Sequence, residues 1–207
     1  MICSKNNMYF HHNNNLAWIS IAKNACQTWQ YVFDNLGWVK EDLFNPQVDL
    51  AQLKFFGFLR HPNKRHTMGI VEYLLRTDQQ TLLDNPSINK LFVSAVFDEH
   101  SYGVCQMIPN SILERTTFFI LDQTYYNYET LVKNFLDDHG VQLTQDIPRL
   151  WAAGQDKKSM RTQLDNLKLQ HLEANRYLLK NFLDQDIKLY HHHLAIQPRW
   201  NRFCNDR

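Results

Sequence analysis

Glycine is scarce in this chain, six in 207 residues, about 3% where roughly 7% is usual. That excludes glycine-rich repeats, collagen-like stretches and flexible linkers. An excess of one charge is missing as well, since 22 Lys and Arg face 21 Asp and Glu for a net charge of +1. No overall basic field draws the surface to nucleic acid or anionic lipid, so any anion site has to be local. The four cysteines, Cys3, Cys26, Cys105 and Cys204, are scattered and form no Cys-x-x-Cys pair. This argues against a zinc ribbon or a disulfide framework and fits the reducing cytoplasm. Met1 to Asn15 carries Asn and His where a secretory leader needs apolar residues, and no run reaches the roughly 18 apolar residues of a membrane span. The expectation is a soluble cytoplasmic protein with no membrane or nucleic-acid partner.

What is present is core-forming material. Hydrophobic residues make up 44% and aromatics 13%, and the length suits a single domain over residues 1–207. Leu16 to Ile21 (LAWISI) reads as a strand, followed by a tight loop at Ala22-Lys23-Asn24 and a helix from Ala25 to Leu36 with Trp29, Val32, Phe33 and Leu36 on one stripe. The plan then repeats. Phe55 to Leu59 (FFGFL) reads as a buried strand, Arg60-His61-Pro62 as its exit, and Asn63 to Leu75 as a helix. Thr117 to Leu121 reads as a third strand, leading to a helix from about Tyr128 to Asp138. Asn89 to Met107 reads as helix with a loop near His100, and Leu164 to Leu194 as a helical C-terminal region. Strands alternating with helices predict an α/β fold with a mainly parallel central sheet flanked by helices.

In such a sheet, ligands bind beyond the carboxyl ends of the strands, where helix N-termini offer N–H groups and partial positive charge. Two such corners carry cations. The first is Lys23-Asn24-Ala25-Cys26-Gln27-Thr28-Trp29 and the second is Arg60-His61-Pro62-Asn63-Lys64-Arg65-His66-Thr67. Both suit anionic groups, although the Gly-x-x-x-x-Gly-Lys-Ser/Thr pattern of a Walker A loop is absent.

At these corners the sequence resembles the sulfotransferases that use 3'-phosphoadenosine 5'-phosphosulfate (PAPS), in particular the carbohydrate and heparan sulfate 2-O branches. Lys23, Ala25, Cys26, Thr28 and Trp29 fall in register with the family's first motif, with Ala22 in place of its proline and Gln27 in place of its first threonine. Phe58, Arg60, Pro62 and Arg65 match the second, with His61 where Asp is usual and Met68 at the serine position, one residue after Thr67. Asp98-Glu99-His100 with Gln106, Tyr128-Glu129-Thr130-Leu131, and Tyr177 with Asp186 to Tyr190 look like three further family elements in the right order.

The resemblance implies a P-loop-kinase-like domain that transfers a sulfuryl group from PAPS to a hydroxyl or amine of an acceptor such as a carbohydrate, releasing PAP without a metal. Lys23 would hold the 5'-phosphosulfate together with the backbone of Asn24 to Trp29. Arg60 would bind the 3'-phosphate, helped by Arg65 and Thr67. His100 would be the base, with Glu99 and His66 as substitutes. The bland readings stand beside these roles: Arg65 bracing its loop, Cys26 as a small structural residue, and His11-His12 and His191-His192-His193 as ordinary histidines rather than metal ligands. The stretch Arg199-Trp200-Asn201-Arg202-Phe203 mixes cations and aromatics but reads as a packed or frayed tail. Two other functions remain open, a kinase-like phosphotransferase and a noncatalytic nucleotide- or glycan-binding module.

Overall fold

The computed structural model describes residues 7–122, 128–143, 146–148 and 154–205, with side chains to residue 197. Cys3 and the side chains of 199–204 therefore lie outside the described residues, whereas Cys26 and Cys105 are free thiols. The chain divides into two compact units. Unit 1 comprises Met1–Arg60, Ile108–Leu150 and Tyr190–Arg207, and unit 2 comprises His61–Met107 and Trp151–Leu189.

Unit 1 holds a five-stranded sheet made of β1 (Asn7–His11), β2 (Leu16–Ile19), β3 (Val39–Asp42), β4 (Lys54–Leu59) and β5 (Thr116–Ile120), in the order β3-β1-β2-β4-β5. Strands β2, β4 and β5 run parallel, with Trp18 opposite Phe56 and Gly57 opposite Phe118. Strand β1 is antiparallel to both β2 and β3. The sheet is thus mixed, which corrects the expectation of a mainly parallel one. The reason is a hairpin: Met8, Tyr9 and Phe10 are buried, His11 pairs with Leu16, and the intervening turn ends on Asn15 at φ 51°. Asn tolerates that left-handed conformation, which suits the run Asn13-Asn14-Asn15 to the turn. Strand β3 shows no apolar alternation because it is an exposed edge carrying Lys40, Glu41 and Asp42, charges that discourage further strand pairing.

Helix α1 (Cys26–Asn35) lays Trp29, Val32 and Phe33 on the sheet. Trp29 stacks on Phe58 at 4.9 Å, and Phe33 meets Trp18 at 5.1 Å and Trp38 at 4.3 Å. Such aromatic pairs add about 0.5 to 1.5 kcal/mol each beyond the area they bury.

In unit 2, α2 (Pro62–Arg76), α3 (Pro86–Phe92) and α4 (Val104–Met107) are followed in chain order by α5 (Asn110–Leu113) and α6 (Tyr128–Asp138), which belong to unit 1. The chain then returns to unit 2 for α7 (Gln155–Gln170), α8 (Leu172–Asn181) and the start of α9 (Asp184–Asn205). The core of unit 2 joins Ile70, Val71 and Leu74 of α2 to Phe92 and Val93 and to Met160, Leu164 and Leu167 of α7. An α/β protein with a helical C-terminal region is thus the observed class. No helix among the described residues is long and apolar enough to cross a membrane.

Candidate functional site

The first cation corner takes its shape from the backbone. Lys23 sits at φ 65° and Ala25 at φ 59°, both left-handed, a conformation that costs a non-glycine residue roughly 1 to 2 kcal/mol. Between them Asn24 is 1% exposed, and its Nδ2 donates to the Phe58 carbonyl at 2.7 Å, tying the loop to the end of β4. Strained loop residues of this kind cluster where a ligand or a reaction requires them.

Ala25 is the N-cap of α1 and brings no side-chain oxygen, and no acidic residue stands in the first turn. The partial positive charge of the helix start is therefore left for something other than its own cap. The first i to i−4 bond runs from Trp29 N–H to the Ala25 carbonyl at 3.2 Å, and Asn24 N–H goes to the Ile21 carbonyl at 3.2 Å. Of the backbone expected to face an anion, the Trp29 and Asn24 amides are thereby used inside the fold, and the Trp29 ring is in the core. Cys26, Gln27 and Thr28 are the amides that precede the helical ladder.

The exit of β4 comes to the same place within unit 1. Arg60 Nη1 donates to the Lys23 carbonyl at 2.8 Å, and its Nε lies 3.5 Å from Asp122 Oδ1, just past β5. The ends of three adjacent parallel strands thus contribute Lys23, Arg60 and Asp122. Asp122 was not singled out in the sequence, because an acid two residues beyond a strand carries no pattern of its own. Burial, then the Asp122 charge, raises the Tyr190 phenol above its ordinary range, and burial followed by Glu129 does so at Tyr128.

From His61 onward the second corner belongs to unit 2. His61 caps α2 through Nδ1, which accepts from Asn63 N–H at 3.3 Å, so the imidazole performs the capping that an Asp usually does. Arg65 is 1% exposed; it donates to the Tyr102 carbonyl and contacts Met107 Sδ at 3.4 Å, which makes it a brace of the loop before α4 rather than an anion ligand. Thr67 is 2% exposed, with Oγ1 2.9 Å from Asp165 Oδ1 and 3.1 Å from the Asn63 carbonyl, so its hydroxyl is turned inward.

His66 is fully buried. Its Nε2 lies 2.7 Å from the Ala95 carbonyl and its Nδ1 3.0 Å from Lys168 Nζ, which also bonds Asn63 Oδ1 at 2.7 Å and its carbonyl at 3.1 Å. Burial, with the Lys168 charge behind it, pushes the His66 imidazole down to about 3, and burial pushes the Lys168 amine down to about 7 against the pull of Asp165. An enclosed, hydrogen-bonded His66 is not placed to take a proton from a substrate.

His100, also in unit 2, is 6% exposed, with Nδ1 3.4 Å from Asp98 Oδ2 and 3.8 Å from Glu99 Oε1. These three side chains bring metal-ligand types of atom within 4.8 Å of one another, but the positive charge they face is Arg76, whose guanidinium pairs with both carboxylates. Elsewhere His193 packs edge-on against Phe118 at 5.1 Å, and burial, then His192, lowers its pKa to about 4. The Cys105 thiol is pushed up to about 12 by burial and then Asp186, the opposite of an activated nucleophile. A cavity of about 250 Å³ lies against β5, α6 and α9 and is lined by none of the sequence-derived candidates. Set against known protein families, curated proteins and solved structures, the chain matches none.

Proposed function

We propose that this protein is a PAPS-dependent sulfotransferase on a P-loop-kinase-like domain, acting in the cytoplasm on a hydroxyl- or amine-bearing acceptor such as a carbohydrate. The observation that carries the reading is the 2.8 Å bond from Arg60 to the Lys23 carbonyl, which gathers two cations at the ends of neighbouring parallel strands beside an N-terminus with no side-chain cap. That is local anion-binding chemistry in a chain with almost no net charge.

In the proposed reaction the acceptor oxygen attacks sulfur in line, and a new O–S bond forms as the bond from sulfur to the 5'-phosphate oxygen breaks. Charge that develops on the departing phosphate is met by Lys23 and the first-turn amides of α1. Arg60 holds the 3'-phosphate, and PAP leaves. A base takes the acceptor proton, and no metal is called for. The anion site is built within unit 1, while the base implied by the resemblance, His100, belongs to unit 2 and is assigned by substitution.

Thermal denaturation with PAP, ATP and GTP tests the reading, because a ligand that binds only the folded state raises Tm by mass action. PAP without magnesium is expected to give the largest shift. Equal shifts with ATP and magnesium, and none with PAP, would establish the kinase-like reading, whose Walker glycines are missing from the loop. A noncatalytic nucleotide- or glycan-binding module is the second reading, favoured by the inward-turned Arg65 and Thr67. Transfer of radiolabelled sulfate from PAPS separates it from the first.

A further inference from the structure

The outer edge of β5 is met by a helix instead of another strand. β5 ends the sheet order, and the next residue, Leu121, turns its N–H inward to the Leu59 carbonyl at 2.9 Å, so by alternation Phe118 and Ile120 turn their main-chain groups outward. Gln197 of α9 is 4% exposed and meets one of them, its Oε1 accepting from Ile120 N–H at 2.8 Å. One helical turn earlier the same face of α9 carries His193, whose ring packs edge-on against Phe118 at 5.1 Å. Gln197 thus reaches the strand's main chain, whereas His193 reaches only a ring.

His193 is 8% exposed, yet no residue among those described hydrogen-bonds its imidazole. A buried polar group normally has a partner. Neither nitrogen is fully enclosed by protein, and the space the ring borders is the cavity of about 250 Å³ against β5, α6 and α9. Every residue lining it belongs to unit 1, and none is Lys23, Arg60 or Asp122.

The lining states what would fit. Phe119, Leu131, Phe135 and Ile196 supply apolar walls. A dry cavity of about 150 Å³ holds one benzene ring, so this one admits a ring with a short side chain, roughly ten non-hydrogen atoms. Glu114 and Asp138, both exposed, also line it, and no lysine or arginine does so among the described residues. Burial, then His192, lowers the His193 pKa to about 4, so at pH 7 the neutral imidazole keeps one accepting nitrogen. An ammonium head group suits both that nitrogen and the carboxylates, while an anionic ligand would meet charge of its own sign.

We infer that this cavity is a binding site for a small ring-bearing amine, its ring held among Phe119, Leu131, Phe135 and Ile196 and its nitrogen donating to His193. The site goes beyond the sulfotransferase reading and does not depend on it.

The test is an NMR titration of the full chain at pH 7 with 2-phenylethylamine, 2-phenylethanol and phenylacetate, probes of about ten non-hydrogen atoms each. Binding is read from the main-chain amides of Phe118 and Phe119. The amine is expected to give a saturable shift and to bind about tenfold more tightly than the alcohol, with phenylacetate weaker still. His193→Phe keeps the aromatic contact with Phe118 and removes the accepting nitrogen, so it should weaken the amine about tenfold. Ile196→Trp should fill the cavity and abolish the shift. No saturable shift in the wild type with any probe overturns the proposal, and that observation needs no variant to fold. Alcohol or phenylacetate binding as tightly as the amine overturns the assigned chemistry. Unchanged amine affinity in a folded His193→Phe or Ile196→Trp protein places the binding elsewhere and overturns the site.

Discussion

Arg60 donates from Nη1 to the main-chain oxygen of Lys23 at 2.8 Å, joining the exits of two strands that are 37 residues apart in the chain. The bond fixes the carbonyl of a residue at φ 65° and places the guanidinium beside the lysine backbone. The two cations should separate in a mutant series, because in the proposed reaction Lys23 would meet charge developed in the transition state and Arg60 would hold the cofactor. Lys23→Ala is expected to lower kcat by about 100-fold or more. Arg60→Ala should chiefly weaken PAP, by about 1.5 to 3 kcal/mol for a charge-assisted hydrogen bond, read by calorimetry. Wild-type PAP affinity in Arg60→Ala would remove that residue from the site.

Asn24 supports the same loop from below. Asn24→Ala deletes the 2.7 Å bond to Phe58 and leaves a buried carbonyl without that donor, a loss of about 1 to 3 kcal/mol in a denaturant titration. Asn24→Asp should be worse, since it sets a buried carboxylate against a carbonyl oxygen. Equal stability of the two variants would argue that the loop relaxes to let water in.

Gly69→Ala reverses the usual helix rule. Propensity alone would favour alanine by about 1 kcal/mol, but the new methyl meets backbone of His100 and Ser101 rather than a side chain that can swing aside. A net loss of about 2 kcal/mol is expected from overpacking. An unchanged or higher Tm would contradict the packing described.

Acid and alkali should act on unit 2 with one sign. A base whose folded-state pKa lies below its unfolded value resists protonation only when folded, so the unfolded chain holds the extra proton between the two values and stability rises with pH there. For His66 the window runs from about 3 to 6.5, and for Lys168 from about 7 to 10.5. Each contribution is at most about 5 kcal/mol. Melting curves from pH 4 to 9.5 should therefore show Tm falling below pH 6.5 and an added stabilising slope above pH 7 that Lys168→Met flattens. An identical slope in Lys168→Met would remove that lysine as its source.

Much of the candidate site was legible because its signals are local. Lys23 and Arg60 each follow an apolar run, and an apolar run ending in a cation needs no knowledge of distant residues to be noticed. What lies behind them was not legible. Arg65 and Thr67 read as ligands by their place in a motif, yet the sequence three or five residues along a helix does not tell which side meets α7 and the His100 loop. Lys168 carried no signal, since a lysine on a polar helix looks solvated until a His and an Asn from another helix are brought to it.

Strands β2, β4 and β5, helices α1, α2 and α6, and the helical C-terminal region follow from hydrophobic periodicity, which is written within each segment. The remaining features come from contacts between segments. Whether Asn7–His11 joins the sheet, and in which direction, depends on a hairpin and on pairing with the charged edge Val39–Asp42, whose own residues alternate in nothing. The meeting of Arg60 with Lys23 depends on β4 lying beside β2, and the setting of His100 on Gly69 and Arg76 presenting themselves from α2. These are pairings between residues far apart in the chain, and each forms only when the packing of whole elements makes it the best available partner.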